Sequence, residues 1–404
     1  MSVPPIPTPR ITLPQGTLKA CRDIIHTHTR FNTQDLHAVE VCLSAVVANL
    51  WRFDTVRIWV QLAGAPSTGK TLILETFRNY RVTHFVDTLT PQALASAYNL
   101  QEGEDHSLLP QIDRKILIIK DFSTIIGLPA AQSSQILGDL RACYDQEFKR
   151  HTGVGGRSYA DISFGILAAC TPVLYDWLQL HSELGERFII TRVGADEAAQ
   201  PYSMKREKQA WIWDHAGQKK EWGAEIQSTV QAHLSSLLRV LQKNSAEFYE
   251  ASSPPAVKGD LLDLSAFAAQ FRTNPGTTTV SDPEGATRLM KQLQRLCSAR
   301  AVLDGRTAMD ETDVRFAARL CRDSIHPQLL SAVSLLWGGS PGRARTGVQK
   351  DTLILRTGLD PWKTASVLRH WCAWNLIRPH QSGPDRYCFT DDVIDRIDSC
   401  RFFH

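Results

Sequence analysis

The segment 61–74, which reads QLAGAPSTGKTLIL, constrains the fold of this chain more than any other stretch. An apolar run leads into Gly64, and the triplet GKT follows before a new apolar period begins. This order predicts a strand, a loop and a helix, with glycines that let backbone N–H groups turn toward an anion. We therefore predict a phosphate-binding P-loop, with Lys70 as the ammonium group on the outer phosphates and the Thr71 hydroxyl offered to Mg²⁺. The predicted nucleotide contacts are Gly64, Ala65, Pro66, Ser67, Thr68, Gly69, Lys70, Thr71 and Leu72.

A second buried strand is indicated by KILIIKDF, residues 115–122, in which four β-type apolar residues precede an acid. In a parallel sheet, an acid at the carboxyl end of such a strand falls beside the P-loop, so Asp121 is the predicted partner of Mg²⁺ or its bound water. Such strands commonly end in Asp-Glu, but here Lys120 precedes Asp121. Either Asp121 takes the metal role and the catalytic base comes from elsewhere, or Asp121 stands at the position of the Glu.

Composition sets broad limits on the class of protein. The chain has 404 residues, 43% of them hydrophobic, and a formal net charge of +3, which allows two or three domains and says little about partners. Its nine cysteines are scattered without the short spacing of a zinc or redox pair, which is typical of a reducing compartment. We found no signal-peptide pattern and no membrane-spanning stretch, so a cytoplasmic protein without a membrane partner is expected.

Other elements can be placed around these two strands. We predict an extended proline-rich arm over 1–32, a helix over 33–50, and a short strand at 85–86 followed by a helix that starts at Thr90. A helix over 131–144 precedes a basic, glycine-rich hairpin. Its positive residues suit either a contact with nucleic acid or an ordinary solvated turn, and they are Lys149, Arg150, His151 and Arg157. The next strand ends at Thr171, which is placed to sense the γ-phosphate.

The remaining chain indicates further domains after a core over 33–200. Residues 201–335 are helix-forming and charged, which predicts an α-helical lid, and GGSPGRAR within 336–345 predicts a linker. Residues 346–404 have the helix, turn, helix and hairpin order of a winged helix. Its candidate DNA contacts are Lys363, Arg369 and Arg386, and its core is expected to contain Trp362, Trp371 and Trp374.

The ordered set GAPSTGKT, ILIIKDF, LAACTP, LGERF and GATRLMKQLQRLC resembles the motifs of AAA+ ATPases. Within them it is most similar to the minichromosome-maintenance helicase branch and to related ATPases of phages and mobile elements. The resemblance covers about residues 35–330 and implies an α/β AAA+ P-loop core with a parallel sheet, an α-helical lid and a C-terminal winged-helix domain.

The resemblance also implies roles for individual residues, with ATP and Mg²⁺ as cofactors. Lys70 and Asp121 would belong to the two Walker motifs, and Thr171 would be sensor 1. Arg187 of LGERF falls where that branch carries an arginine finger for the neighbouring subunit, although an ion pair with Glu186 is the alternative. Arg288 falls at sensor 2, or is a plain solvated arginine, and residues 148–160 would line the pore of a ring.

Two functions follow from this pattern. The first is a homo-oligomeric motor, a ring of about six subunits or a helical assembly, that hydrolyses ATP and acts on DNA as a helicase or translocase of a phage or mobile element. The second is an ATP-gated assembly module that recruits a replication or mobile-element protein and scarcely hydrolyses ATP. The identity of the base separates them, and the candidates are Glu75, Asp145 and Glu147.

Overall fold

The computed structural model describes residues 11–51, 56–96, 105–152, 155–180, 187–194, 201–245, 250–273, 285–383 and 385–403. Its strands are β1 (Trp59–Ala63), β2 (Thr83–Val86), β3 (Ile116–Ile119), β4 (Glu147–Thr152), β5 (Gly155–Ala160), β6 (Gly165–Cys170), β7 (Phe188–Arg192), β8 (Val348–Gln349), β9 (Ile377–Pro379) and β10 (Arg386–Phe389).

The helices of the first half are α1 (Thr17–Thr29), α2 (Thr33–Trp51), α3 (Lys70–Glu75), α4 (Leu109–Ile112), α5 (Ser123–Ile126), α6 (Ala130–Tyr144) and α7 (Val173–Leu180). Those that follow are α8 (Tyr202–Asp214), α9 (Lys219–Lys243), α10 (Pro255–Arg272), α11 (Thr287–Leu303), α12 (Glu311–Ser324), α13 (Pro327–Trp337), α14 (Pro341–Ala344), α15 (Lys350–Thr357), α16 (Pro361–Ala373) and α17 (Asp391–Ser399).

A five-stranded parallel sheet with the order β2-β3-β6-β1-β7 confirms the predicted α/β fold. The residues of β1, β3 and β6 are buried throughout, as the apolar sequences of β3 and β6 predict for strands that are covered on both faces. In β1 the buried residues include the polar Gln61. Because β6 lies between β1 and β3, the carboxyl ends of these three strands share one edge of the sheet.

The chain divides into two compact units. The first unit takes in Met1–Pro172, Arg192–Ser253 and Arg295–Met309, and the second takes in Val173–Thr191, Pro254–Gln294 and Asp310–His404. Helices α8 and α9 therefore group with the first unit, whereas α10, α12 and α13 belong to the second.

The predicted linker over 336–345 is wrong. This segment contains the end of α13 and all of α14, and Ala344 is fully buried. The hydroxyl of Ser340 caps α14 by accepting from the Arg343 N–H, which gives the chain a defined local structure. A short apolar residue within a glycine-rich sequence therefore packs into a core.

Helix α1 replaces most of the extended arm that the sequence predicts up to residue 32. It buries Leu18, Cys21 and Ile25, which follow the spacing of one helical face, and it packs against α2 and α9. The prediction of an extended arm is wrong for Thr17–Thr29, because this apolar face is buried in the core of the first unit. Residues 1–10 lie outside the described part of the chain.

Helix α2 begins with a reciprocal cap. The Asp35 N–H donates to Asn32 Oδ1 over 2.8 Å, and the Asn32 N–H donates to Asp35 Oδ2 over 3.3 Å. The second oxygen of Asp35 accepts the N–H of Gly194 over 2.9 Å. Asp35 is fully buried, so this carboxylate joins the start of α2 to the chain that leaves β7.

A buried ion-pair cluster supports the same part of the first unit. Glu40 of α2 lies 2.6 Å from Arg22 of α1 and 3.0 Å from Arg300 of α11. Because Glu40 and Arg300 are nearly buried, the carboxylate depends on these guanidinium groups to offset its lost hydration.

Over the described residues 90–96 the chain does not form the helix predicted to start at Thr90, and the prediction is wrong there. The chain bends there, and the N–H groups of Leu108 and Leu109 donate to the carbonyls of Ala93 and Leu94. These carbonyls are the acceptors that a helix would need for its own ladder, so propagation is blocked. By contrast, β2, α6 and the strands on either side of the loop agree with the sequence predictions.

In the second unit, β8, β10 and β9 form an antiparallel three-stranded sheet in that order, beside α15 and α16. The Asp360 side chain caps α16 and Pro361 is its first residue, as predicted. Trp371 is fully buried, but Trp362 is 58% exposed, so the prediction that it belongs to the core is wrong. Across the residues described, no helix combines the length and the apolar character that a membrane span requires.

Candidate nucleotide-binding site

The loop between β1 and α3 can be formed only with glycine at two positions. A Cβ atom on Gly64 would lie 2.4 Å from the carbonyl oxygen of Val193, which is backbone and cannot move aside cheaply. Gly69 has a φ of +96°, and a Cβ atom there would lie 2.7 Å from the Phe31 ring. Ser67 is also left-handed, with a φ of 66°. The loop is thus tightly folded, and the Phe31 ring lies behind Gly69.

Lys70 follows Gly69 as the first residue of α3. Its Nζ donates to the carbonyl oxygens of Gly64 and Ala65, each over 2.7 Å, which holds the ammonium group against the loop. Burial lowers the pKa of Lys70 below its usual value, and the nearby thiol of Cys170 and carboxylate of Asp121 oppose that effect. The Lys70 ammonium and the Asp121 carboxylate are therefore close enough to interact electrostatically.

A chain of hydrogen bonds joins the ends of β3 and β6 at the edge of the sheet that carries the P-loop. Asp121 Oδ1 accepts from the Ser123 N–H over 2.9 Å. Ser123 Oγ accepts from the Thr171 N–H over 3.0 Å and lies 3.3 Å from Thr171 Oγ1. With β6 between them, the ends of β1 and β3 are about 10 Å apart, which leaves room for a phosphate group and a hydrated cation. Sequence reasoning found Asp121 and Thr171 but missed Ser123.

Lys120 faces a different partner. Its Nζ lies 2.9 Å from Asp87 Oδ1, just beyond the end of β2, and this pair lowers the pKa of the Asp87 carboxyl. The acid that acts on Lys70 is Asp121. Lys120 therefore links the ends of β2 and β3. Of Lys120 and Asp121, only Asp121 interacts with Lys70 of the P-loop.

The three candidate bases lie in unsuitable positions. Glu75 is paired with Arg78 at the end of α3. Asp145 and Glu147 follow Tyr144, whose hydroxyl donates to the carbonyl of Arg57, before the amino end of β1. The P-loop follows the carboxyl end of β1, about 16 Å further along this five-residue strand. Of these four acids, Asp121 is the one that acts electrostatically on Lys70.

A pocket of about 290 Å³ opens beside the P-loop, and we call it the aromatic pocket. Its wall includes Ser67, Thr68, Gly69 and Leu72, and its rings are His28, Phe31, Trp211, His215 and Trp222. The Trp211 and Trp222 rings stack with centroids 5.2 Å apart, and His28 lies 5.1 Å from Trp222. Leu72 is an exposed apolar side chain at this wall. Such a pocket suits a flat heteroaromatic group.

The two predicted arginines lie in the second unit. Arg187 begins the described chain before β7 and is 9% exposed, and its carbonyl oxygen accepts from Gln292 Nε2 over 3.0 Å. A contact with a neighbouring subunit would require this side chain to leave its buried position. Arg288 is the second residue of α11 and is partly exposed. Glu186, the alternative partner of Arg187, lies outside the described residues.

The predicted basic hairpin exists as the antiparallel pair β4–β5. Lys149 is exposed on β4. The side chains of Arg150, His151 and Arg157, and residues 153–154 at the tip, lie outside the part that the structure describes.

The predicted DNA contacts of the second unit differ in their surroundings. Arg369 is exposed on α16, and Lys363 is partly exposed one turn into the same helix. The Nε of Arg386 donates to the Gly347 carbonyl over 3.2 Å, which gives this arginine a structural bond within its sheet. The three residues remain predicted contacts.

Comparison with protein-family models and with curated proteins matched no family and no relative. Within the described ranges, no group of three or more His, Cys, Asp or Glu side chains is arranged to hold a metal ion. Thr71 and Asp121 remain the predicted protein ligands of a cation at the P-loop, with phosphate and water oxygens as further ligands.

Proposed function

We propose that this chain binds a nucleoside triphosphate, with its phosphates in the P-loop and its base in the aromatic pocket. The observation that carries the proposal is the shared wall of the two features, because Ser67, Thr68 and Gly69 belong to both. A ligand whose phosphates lie against Lys70 reaches the Trp211 and Trp222 rings with its other end. Phosphate recognition by a glycine-locked loop and stacking on aromatic rings are the two contacts that a nucleotide offers.

Mg²⁺ fits the polar groups at this edge of the sheet. Thr71 is exposed at the start of α3, and the Asp121 carboxylate is exposed at the end of β3. When bound, the ion would neutralise charge that develops on the phosphates. The protein's own contribution is to hold Lys70 against the loop and to orient the Thr171 side chain through Ser123.

We further propose an AAA+ ATPase that assembles with copies of itself and acts on DNA, as the sequence resemblance implies. The strand order, with β6 between β1 and β3, supports this assignment because it sets Thr171 between the P-loop and Asp121. In the second unit, α15 and α16 are joined by a turn over 358–360, beside the β8-β10-β9 sheet. This arrangement supports a winged helix as the DNA-binding part.

Nucleotide binding and turnover test the proposal together. We expect the Lys70→Ala variant to lose at least tenfold in ATP affinity and to abolish hydrolysis, since one charge-assisted phosphate contact is worth about 1.5–3 kcal/mol. The exposed Lys220 is a matched control, and Lys220→Ala should bind ATP like the parent chain. ATP affinity that is equal in both variants would refute nucleotide binding at this loop.

The ATP-gated assembly module remains the second candidate, and the surroundings of Lys120 favour it. That lysine is paired with Asp87, and Asp121 is the single acid that KDF offers near Lys70, so one carboxylate would have to serve both the metal and the attacking water. A motor should reach on the order of 1 turnover per second or more when DNA is added. Far slower hydrolysis, together with ATP-dependent assembly in sedimentation experiments, would select the module.

A further inference from the structure

A second pocket lies at the opposite edge of the sheet, and it is rich in arginine. It has a volume of about 200 Å³, and we call it the arginine pocket. Arg81 comes two residues before β2 and Arg114 two residues before β3, so both stand at the amino ends of parallel strands. Arg239 of α9 completes the set. We propose that the arginine pocket binds a phosphoryl group, separately from the P-loop.

The charges of Arg81 and Arg239 are not neutralised by carboxylates of the described residues. Within the part of the chain that the structure describes, no carboxylate lies within ion-pair distance of Arg81 or Arg239. Arg114 has a carboxylate neighbour, since its Nε lies 3.9 Å from Asp113 Oδ2. Two arginines without carboxylate partners beside so small a volume attract an anion. The pocket therefore favours a ligand of two or more negative charges.

Uncharged donors line the same space. The hydroxyl groups of Tyr80 and Ser235 lie 3.0 Å apart, and both residues line the pocket. Their mutual hydrogen bond uses one of two hydroxyl hydrogens, which leaves the other to donate to a ligand. Gln242 adds an amide at the rim. A phosphoryl group has enough oxygens to accept from these donors and from three guanidinium groups, whereas a carboxylate has two.

The pocket is held by fixed backbone. Ser235, Arg239 and Gln242 follow the spacing of one face of α9. Arg114 has a left-handed φ of 54°, and its N–H donates to the Ser163 carbonyl over 2.7 Å. A non-glycine residue held in this strained conformation is often found at a functional site. The sheet and α9 therefore fix the backbone positions that carry the arginines before any ligand binds.

The test measures binding of inorganic phosphate and pyrophosphate by calorimetry, with the P-loop silenced by Lys70→Ala. We expect this variant to retain one site for pyrophosphate. Adding Arg81→Gln and Arg239→Gln should weaken that site about tenfold or more. Adding Lys220→Gln and Lys243→Gln instead makes the same change in net charge outside the pocket and should leave affinity unchanged. Equal loss in both triple variants, or no loss in either, would overturn the proposal.

Further arms identify the chemistry and its source. Malonate, a dicarboxylate, should bind at least tenfold more weakly than phosphate, and equal binding would overturn the assignment to a phosphoryl group. If a short DNA oligonucleotide competes with pyrophosphate and loses affinity in the Arg81→Gln, Arg239→Gln variant, the source is a nucleic-acid backbone. If DNA does not compete, the source is a free phosphate compound. Should Lys70→Ala fail to fold, the parent chain should lose one of two pyrophosphate sites on the two arginine substitutions.

Discussion

Replacing Trp222 with alanine should separate recognition of the base from recognition of the phosphates. Trp222 stacks on Trp211 with an interplanar angle of 20° and also contacts His28, so it forms a continuous part of the aromatic wall. Stacking of a base on an aromatic side chain is worth about 1–3 kcal/mol, which corresponds to about 5- to 150-fold in affinity. We expect Trp222→Ala to weaken ATP binding within that range.

The assay compares ATP with tripolyphosphate, which has the same phosphate chain and no base. Calorimetric titration of both ligands should show that Trp222→Ala weakens ATP alone. Trp213 is the matched control, because it lies two residues from Trp211 but is 84% exposed and does not line the pocket. Trp213→Ala should bind both ligands like the parent chain. Unchanged ATP affinity in Trp222→Ala, or an equal loss for both ligands, would refute the assignment of the aromatic pocket to the base.

Three further predictions concern polar groups of the first unit. Asp35→Ala should lower the free energy of unfolding by about 2–5 kcal/mol, since it leaves buried N–H groups unpaired. Asp23 is exposed, so Asp23→Ala is the control in denaturant titrations. Equal unfolding midpoints for the two variants would contradict the expectation. Ser123→Ala should slow hydrolysis about 10- to 100-fold while ATP affinity changes less than about twofold, whereas the neighbouring Thr124→Ala should leave hydrolysis unchanged. Phosphate binding needs a protonated Lys70 ammonium, and burial lowers the pKa of this group. We therefore expect the affinity for tripolyphosphate to fall as the pH rises, and to begin falling below the usual lysine pKa of 10.5. Constant affinity up to that pH would argue against this role of Lys70.

The local parts of the site could be predicted because the residues that form them are consecutive in the sequence. The sequence around Gly64 and Lys70 dictates a strand, a tight turn and a short helix, and the structure has them. The run that ends at Asp121 reads as a strand buried on both faces, which is how β3 is found. A pattern that repeats within one element needs no knowledge of its neighbours.

The aromatic pocket could not be predicted in the same way. His28, Leu72 and Trp222 come from separate elements, and no periodic pattern relates them. The rings at Trp211 and Trp222 looked like parts of a charged helical lid because their partners are far away in the sequence. Ser123 was missed for a related reason, since a single hydroxyl after a strand gains meaning only when β6 is known to lie beside β3.

The contact between Phe31 and Gly69 decides where this protein can be shortened for expression. A fragment that starts at residue 33 would keep every letter of the GKT motif and would look complete by sequence. It would lack Phe31, the ring that lies directly behind Gly69, and His28, one wall of the aromatic pocket. A useful fragment must therefore begin before Thr17, so that α1 is produced together with the loop it supports.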